Sequence, residues 1–294
     1  MRRAAIAEIM EKRGTPPKRR VGSFPALPKT GEKKETVLNV QVLTAEQLSP
    51  ELAELAPANV YVPIEILNTQ PELIAPFTEA GVNIAAVLPR VMTDTEVPAV
   101  REMLQKLPDI GVKECLVGNL GHIALCRQCA MDVRGDFGLN TFNSHSIATL
   151  ADAGLLSATA SFELRMAQVR DLVKPIDTEL IVYGRLPAMV SDQCIIKAAN
   201  GSCSCEGGAS MSDRMGSVFP VVREFGCRNV ILNAHKLFLA DKREDYLSAG
   251  LWAARLMFTT ESARECAEIL RAYQGRSEYR PNGLTRGLYY RGVE

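Results

Sequence analysis

The chain has 294 residues, of which 47% are hydrophobic, and its 34 Lys and Arg residues balance its 34 Asp and Glu residues. This composition is that of a globular protein long enough to build one large domain with a full core. Zero net charge argues against a protein that binds nucleic acid over its whole surface. A membrane-spanning helix needs about 18 consecutive apolar residues, and no apolar run in the sequence is that long. The sequence therefore predicts no membrane partner.

The charge is unevenly distributed along the chain. Residues 1–36 hold ten Lys and Arg against four Glu, a net charge of +6 that leaves −6 for the remainder. Apolar residues in Met1–Gly14 predict a short amphipathic helix, and the Pro-rich stretch that follows predicts a flexible linker. We therefore predict a basic N-terminal arm over 1–36 and a barrel-like domain over 37–294. The start lacks the apolar core of a secretory signal, so a cytoplasmic location is expected.

Short apolar runs alternate with helical patterns from residue 37 onward. Their starts recur every 20 to 30 residues or so, which is the length of a β-α unit. Eight such units predict an α/β fold, a (β/α)₈ TIM-like barrel, with a doubly wound open sheet as the alternative. The predicted strands are Val37–Leu43, Val60–Pro63, Ile84–Leu88, Cys115–Val117, Asp132–Arg134, Ala158–Ser161, Leu180–Tyr183 and Leu256–Phe258.

Helical patterns separate most of these strands. They lie at Glu46–Leu55, Pro71–Ala80, Asp94–Lys106, Gly121–Cys129, Ser144–Ala153, Met166–Val173 and Ser262–Tyr273. No G-x-G-x-x-G motif follows the first strand, which weakens a dinucleotide-binding interpretation.

An insertion over residues 184–235 interrupts the repeat after strand seven. In a barrel, the loops that follow the strands build the active site. Polar side chains at the ends of strands three, six and seven are the candidate substrate-pocket residues, namely Arg90, Glu163 and Arg185. If they converge on one rim, they form a polar pocket suited to an anionic ligand.

The insertion also concentrates thiols. Cys194, Cys203, Cys205 and Cys227 are spaced C-x8-C-x-C-x21-C, which matches no zinc-finger or ferredoxin template. A glycine-rich loop can fold around a metal without strain, and clustered cysteines in a reducing compartment are typical of metal or redox sites. We predict that these four thiols hold a metal centre, either zinc or an iron–sulfur cluster.

The remaining cysteines point to packing. Cys126 and Cys129 form a C-x2-C, but they lie on one face of a predicted helix and are expected in the core. Cys115 in a buried strand and Cys266 in the last helix are expected to be small hydrophobic residues.

Several motifs in order resemble peptidase family U-32, the collagenase-like peptidases. They are "VGNLGH", "RGDFGLNTFNS", "VYGRLPAMVSDQC", "DRMGSVFPV", "CRNVILN" and "TRGLYYRGV", and the resemblance runs from about Val37 to Val293. It is to the second half of the long members. The family pattern is H-G-x-x-C followed by a later cysteine. In this chain only the later cysteine is present, as Cys194, because Tyr183 and Pro187 occupy the positions of the histidine and the first cysteine.

The resemblance implies a barrel-like domain and two kinds of chemistry. Relatives resemble proteins in which four cysteines hold a [4Fe-4S] cluster and assist hydroxylation of RNA bases or a quinone precursor. The leading hypothesis is therefore an iron–sulfur or metal enzyme in oxidative modification of RNA, with the basic arm contacting phosphates. The alternatives are a metal-dependent peptidase, and a non-catalytic subunit. The opening "MRRAAIAEIMEKR" resembles an internal junction of longer members, which implies a second barrel subunit or an upstream domain as partner.

Overall fold

The computed structural model describes residues 2–20, 22–23, 26–28, 35–202 and 208–292. Its strands are β1 (Val37–Gln41), β2 (Asn59–Pro63), β3 (Asn83–Val87), β4 (Glu114–Val117), β5 (Asp132–Gly135), β6 (Ser157–Thr159), β7 (Asp177–Gly184), β8 (Pro187–Ser191), β9 (Ala209–Ser212), β10 (Val218–Glu224), β11 (Arg228–Leu232), β12 (Lys236–Phe238), β13 (Ala253–Met257) and β14 (Leu284–Thr285).

The helices cover one side of most of these strands. They are α1 (Arg2–Gly14), α2 (Pro50–Glu54), α3 (Ile64–Thr69), α4 (Ala75–Glu79), α5 (Val97–Lys106), α6 (Leu120–Gln128), α7 (Ser144–Asp152), α8 (Met166–Asp171), α9 (Ile195–Asn200), α10 (Arg243–Leu247) and α11 (Ala263–Tyr273). Short 3₁₀ turns lie at Ala45–Gln47, Pro71–Ile74, Leu107–Ile110, Phe137–Leu139 and Ala240–Lys242. No helix in the described parts of the chain is long and apolar enough to cross a membrane.

Eight parallel strands close into a barrel. β1 to β7 pair in sequence order, and β13 pairs in parallel with both β7 and β1. Ala254 of β13 lies opposite Leu38 on one side and Leu180 on the other. This second pairing closes the sheet, so the predicted (β/α)₈ barrel is confirmed and the open doubly wound sheet is excluded. All eight predicted strands overlap barrel strands.

The main core lies between the barrel and its helices. Outward-facing strand residues such as Val40 and Val60 are completely buried there. On α11, Cys266, Leu270 and Tyr273 lie on one face at helical spacing and are all buried. Each large apolar side chain buried in this way contributes about 1.5–3 kcal/mol. The barrel is therefore held by ordinary apolar packing on its outside.

The predicted helices are present with shifted ends, and three helices, α3, α9 and α10, escaped the sequence analysis. α3 begins directly after Pro63 and has no side-chain cap, so no N-terminal capping residue announces it. The helix predicted at the start of the chain is present as α1, and none of its residues is buried.

The cysteines expected in the core are buried. Cys126 in α6 and Cys115 in β4 are fully buried, and Cys129 is 8% exposed. A hydrogen bond with Cys126, together with burial, raises the pKa of Cys115 far above its ordinary value. Cys115 is therefore held in the protonated form, and all three cysteines act as small packing groups.

The insertion after β7 folds as a separate four-stranded antiparallel sheet in the order β8-β11-β10-β9. The chain leaves β7 at Gly184, whose φ is +128°, and a Cβ there would lie 2.2 Å from the carbonyl oxygen of Met257. Only glycine can occupy this position without moving β13. After β11 the chain returns to the barrel through β12, which pairs antiparallel with β7.

Candidate functional site at the barrel mouth

The interior of the barrel contains a buried arginine at its centre. Arg255 of β13 is fully buried, and its guanidinium lies 2.8 Å from Asp136 and 2.8 Å from Glu179. It donates to Thr159 Oγ1 at 2.5 Å and lies 5.1 Å from the ring centroid of Tyr61. Burial alone would lower its pKa, but the two carboxylates outweigh this and hold the pKa of Arg255 above its ordinary value. The arginine therefore stays charged in the interior.

A ladder of amides continues this network toward the amino ends of the strands. Asn59 donates to Asn39 and Asn83 donates to Asn59, both at 2.8 Å. Asn83 also donates to Glu114, which accepts a 2.6 Å bond from Arg134. Polar groups at this end of a barrel serve stability rather than chemistry. Both interior arginines thus have carboxylate partners.

A covered cavity of about 90 Å³ lies at the opposite end, where the strands have their carboxyl ends. This volume is enough for several water molecules or a small organic group. Most of its wall is apolar, with Phe137, Met257 and Phe258 among the contributors. Its polar lining residues are Gln41, Arg90, Asp136, Glu224 and Thr259.

The inserted sheet covers this cavity. Alternate residues of a strand face the same side, and Val222 and Glu224 of β10, with Val230 and Leu232 of β11, all line the cavity. An active site at a barrel mouth is normally built from short loops. Here a sheet with its own hydrogen-bond ladder supplies the cover.

Charged side chains attach the cover to the barrel. Arg228, whose side chain is only 5% exposed, binds both carboxylate oxygens of Glu96, at 2.9 and 2.8 Å. It also lies 2.9 Å from Asp192. The hydrogen bonds from Arg228 are the largest cause of a pKa of about 2 for Glu96. Arg223 adds a longer contact of 3.6 Å to Glu65.

Of the three predicted pocket residues, the structure places Arg90 alone at the cavity. Its guanidinium carbon lies 5.1 Å from the centroid of the Phe137 ring. Glu163 is exposed to solvent and is absent from the cavity wall. Arg185 donates instead to the backbone carbonyls of Asn233 and Ala234, where it fixes the return of the chain to the barrel. All three residues follow barrel strands, as predicted. Their side chains take different directions, and only that of Arg90 reaches the cavity.

Two of the four predicted ligand cysteines lie in the described chain. Cys194 caps α9, where its Sγ accepts a 3.4 Å bond from the backbone of Lys197. Cys227 is exposed in the turn between β10 and β11. Ser191 pairs with Asn229, so both cysteines lie just beyond the same end of the sheet. The first residue of β9, Ala209, pairs with Val221 toward this same end.

The other two predicted ligands, Cys203 and Cys205, lie outside the described residues. Within the described ranges, no group of three or more His, Cys, Asp and Glu side chains could hold a metal ion. The two thiols at one end of the sheet would supply half of the four ligands that such a centre needs. Whether the four cysteines bind one centre stays a prediction.

The sequence analysis missed several buried or cavity-lining residues, among them the charged residues Glu179, Arg255 and Glu224. Glu179 and Arg255 each stand inside an otherwise apolar strand, as "TELIV" and "AARLM", and a charge in that position signals a buried partner. Glu224 lies in a strand of the insertion, which was predicted as a loop, so no strand end marked it. Asp136 was recognised only as a polar strand-end residue.

The fold and the site together define a class of protein. It is a closed barrel whose mouth is covered by an inserted sheet with cysteines at one end. The chain belongs to peptidase family U32, whose sequence profile matches residues 67–276. This confirms the family resemblance seen in the motifs. No curated protein matches the chain.

Solved structures resemble the chain only distantly. Thiamine phosphate pyrophosphorylase from Pyrococcus furiosus has 9% identity and a TM-score of 0.45 over 83% of this chain and 98% of its own. The tryptophan synthase A-subunit from the same organism has 10% identity and a TM-score of 0.44 over 83% and 100%. The spore cortex-lytic enzyme SleL of Bacillus cereus has 8% identity and a TM-score of 0.43 over 88% and 78%. At these scores the similarities carry no weight, and the fold rests on the strand pairing.

Proposed function

We propose that this member of peptidase family U32 is an iron–sulfur enzyme that oxidatively modifies RNA in the covered mouth of its barrel. Cys194, Cys203, Cys205 and Cys227 would hold a [4Fe-4S] cluster at the end of the inserted sheet. Such a cluster supplies one-electron chemistry. The chain's own residues would bind the substrate in the cavity and keep it from water.

One observation carries this proposal. The ladder between β8 and β11 brings Cys194 and Cys227, which are 33 positions apart in the sequence, to the same end of one sheet. Glu224, which lines the cavity, is three positions before Cys227 on the same hairpin. A centre bound at this end would therefore adjoin the cavity.

The case for RNA rests on charge. The net charge of +6 in residues 1–36 suits contacts to phosphates, which give affinity without sequence preference. None of the residues of α1 is buried, so Arg2, Arg3, Lys12 and Arg13 are open to such contacts.

The peptidase alternative, like the cluster, needs a metal site that the described residues alone do not complete. A metal-dependent peptidase needs an ion that activates water, and the described residues contain no group of three or more ligands that could hold one. The alternative of a non-catalytic subunit predicts co-purification with a second barrel protein.

Metal analysis of anaerobically purified protein tests the proposal. We expect iron and acid-labile sulfide at about four of each per chain, and loss of most of both in Cys194→Ser and Cys227→Ser. The matched control is Cys129→Ser, because Cys129 is the most exposed of the other described cysteines and should keep its iron. Stoichiometric zinc without iron or sulfide would contradict the proposal and indicate a structural centre.

A further inference from the structure

The mouth of the barrel contains two carboxyl groups in opposite surroundings. Asp136 accepts a 2.8 Å bond from the backbone of Phe137 and lies 2.8 Å from Arg255. Among the described residues, Glu224 accepts a single long bond on Oε1, at 3.3 Å from the backbone nitrogen of Arg90. Its other oxygen, Oε2, is buried without a hydrogen-bond partner among the described residues.

The lack of a partner for Glu224 has a visible cause. Arg228 lies directly opposite Glu224 in the ladder between β10 and β11. Its guanidinium is instead bound by Glu96 and Asp192. No salt bridge in the described part of the chain joins Glu224 to Arg90 or to Arg228. A carboxyl group is therefore held against an apolar cavity without a counter-ion in contact.

Such surroundings favour the neutral form of a carboxyl group. Burial raises the pKa of Glu224 above its ordinary value, and the negative charge of Asp136 acts in the same direction. The backbone bond from Arg90 and the positive charges of Arg90 and Arg228 oppose this shift without cancelling it. A carboxyl group in such surroundings is suited to proton transfer.

We propose that Glu224 is the proton-transfer residue of the cavity, a cavity-lining carboxyl group that has no counter-ion in contact and whose Oε2 has no hydrogen-bond partner among the described residues. It would donate its proton to an acceptor atom of the substrate, a carbonyl oxygen or a ring nitrogen. The carboxylate left behind would lie near Arg90 and Arg228, and it would recover the proton from the product. Asp136, by contrast, is paired with Arg255. This inference rests on the proposed function only in taking the cavity as the active site.

The protonation state of Glu224 can be measured without any substrate. Nuclear magnetic resonance of protein labelled with ¹³C at the glutamate side-chain carboxyl reports on this group. The Glu224 resonance is assigned as the one that is absent from the spectrum of Glu224→Gln. We expect its titration midpoint to lie above that of Glu163, the exposed internal control. Arg90→Met removes a positive charge that lowers this pKa, so it should move the midpoint higher still. A Glu224 midpoint at or below that of Glu163 would overturn the inference.

A small neutral acceptor tests the contact with substrate. Acetamide fits the cavity volume and offers one carbonyl oxygen. We expect it to shift the Glu224 resonance saturably and to raise its titration midpoint, since it binds the neutral carboxyl, while leaving Glu163 unchanged. No shift at saturating acetamide would contradict a proton-transfer role for Glu224 in this cavity. Circular dichroism of Glu224→Gln and of the milder Glu224→Asp confirms that the cover is folded.

The two proposals fail separately. Protein with iron and sulfide in which Glu224 titrates like Glu163 would keep the proposed function and lose this inference. Protein without a cluster in which Glu224 is neutral and binds acetamide would keep the acid–base group and lose the iron–sulfur chemistry.

Discussion

The barrel interior and the covered mouth differ in how their charged side chains are paired. In the interior, Arg255 and Arg134 each contact carboxylates at 2.6 to 2.8 Å, and amides link the two pairs. At the mouth, Arg90 and Glu224 line one cavity, and no salt bridge among the described residues joins them. Paired charges fix the shape of a scaffold, whereas charges left without partners are available to a ligand. This contrast is the reason that we propose a substrate site at the mouth and a structural role for the charges below it.

The largest expected effect comes from breaking the interior. Arg255→Met leaves Asp136 and Glu179 buried without their counter-ion, and breaking a buried ion pair in this way costs about 3–5 kcal/mol. We expect the free energy of unfolding, measured by urea denaturation, to fall by that amount. Arg214→Met is the control, because Arg214 is exposed in a hairpin turn and such changes stay within about 0.5 kcal/mol. Equal effects of both substitutions would remove the distinction between interior and surface.

The attachment of the cover gives a smaller and local effect. Arg228→Ala removes the two hydrogen bonds to Glu96, which contribute about 1–3 kcal/mol. We expect faster amide hydrogen exchange in β10 and β11 and unchanged exchange in the barrel strands. If the barrel strands exchange faster to the same degree, cover and barrel unfold as one unit.

The same contact predicts a pH dependence. The pKa of Glu96 is lowered from 4.5 to about 2 in the folded protein, so its contribution to stability is complete above about pH 4.5. It is lost as the pH falls through the folded value. We expect exchange in β10 and β11 to accelerate between pH 4.5 and 2 beyond the intrinsic change, and Glu96→Gln to abolish that excess. An excess that survives in Glu96→Gln would assign the acid sensitivity to another group.

The barrel was predictable because its strands are buried on both faces and appear as short apolar runs between helical patterns. The polar mouth was only partly predictable. Arg90 follows a strand end and was found, but Arg185 follows another strand end and turns to backbone carbonyls instead. Glu224 could not be found, since its place at the mouth depends on how the insertion folds back over the barrel. The strand register within that insertion brings Cys194 and Cys227 to the same end of the sheet. This register cannot be deduced from the spacing of the two cysteines in the sequence.

The smallest expected effect on stability lies outside both regions. Replacing Arg2, Arg3, Lys12 and Arg13 with Gln should leave the free energy of unfolding unchanged within about 0.5 kcal/mol, because α1 has no buried residue. If the arm contacts phosphates, the slope of RNA affinity against salt concentration should fall by about one for each contact removed. An unchanged slope in fluorescence anisotropy with a single-stranded RNA would separate the arm from RNA binding.

Anomalous diffraction at the iron edge, from crystals grown without oxygen, tests the central claim most directly. The account predicts an iron peak at the end of the inserted sheet, with Sγ of Cys194 and Sγ of Cys227 bound to the same cluster beside the cavity. Finding these two sulfur atoms without iron, or with a zinc peak in its place, would contradict it.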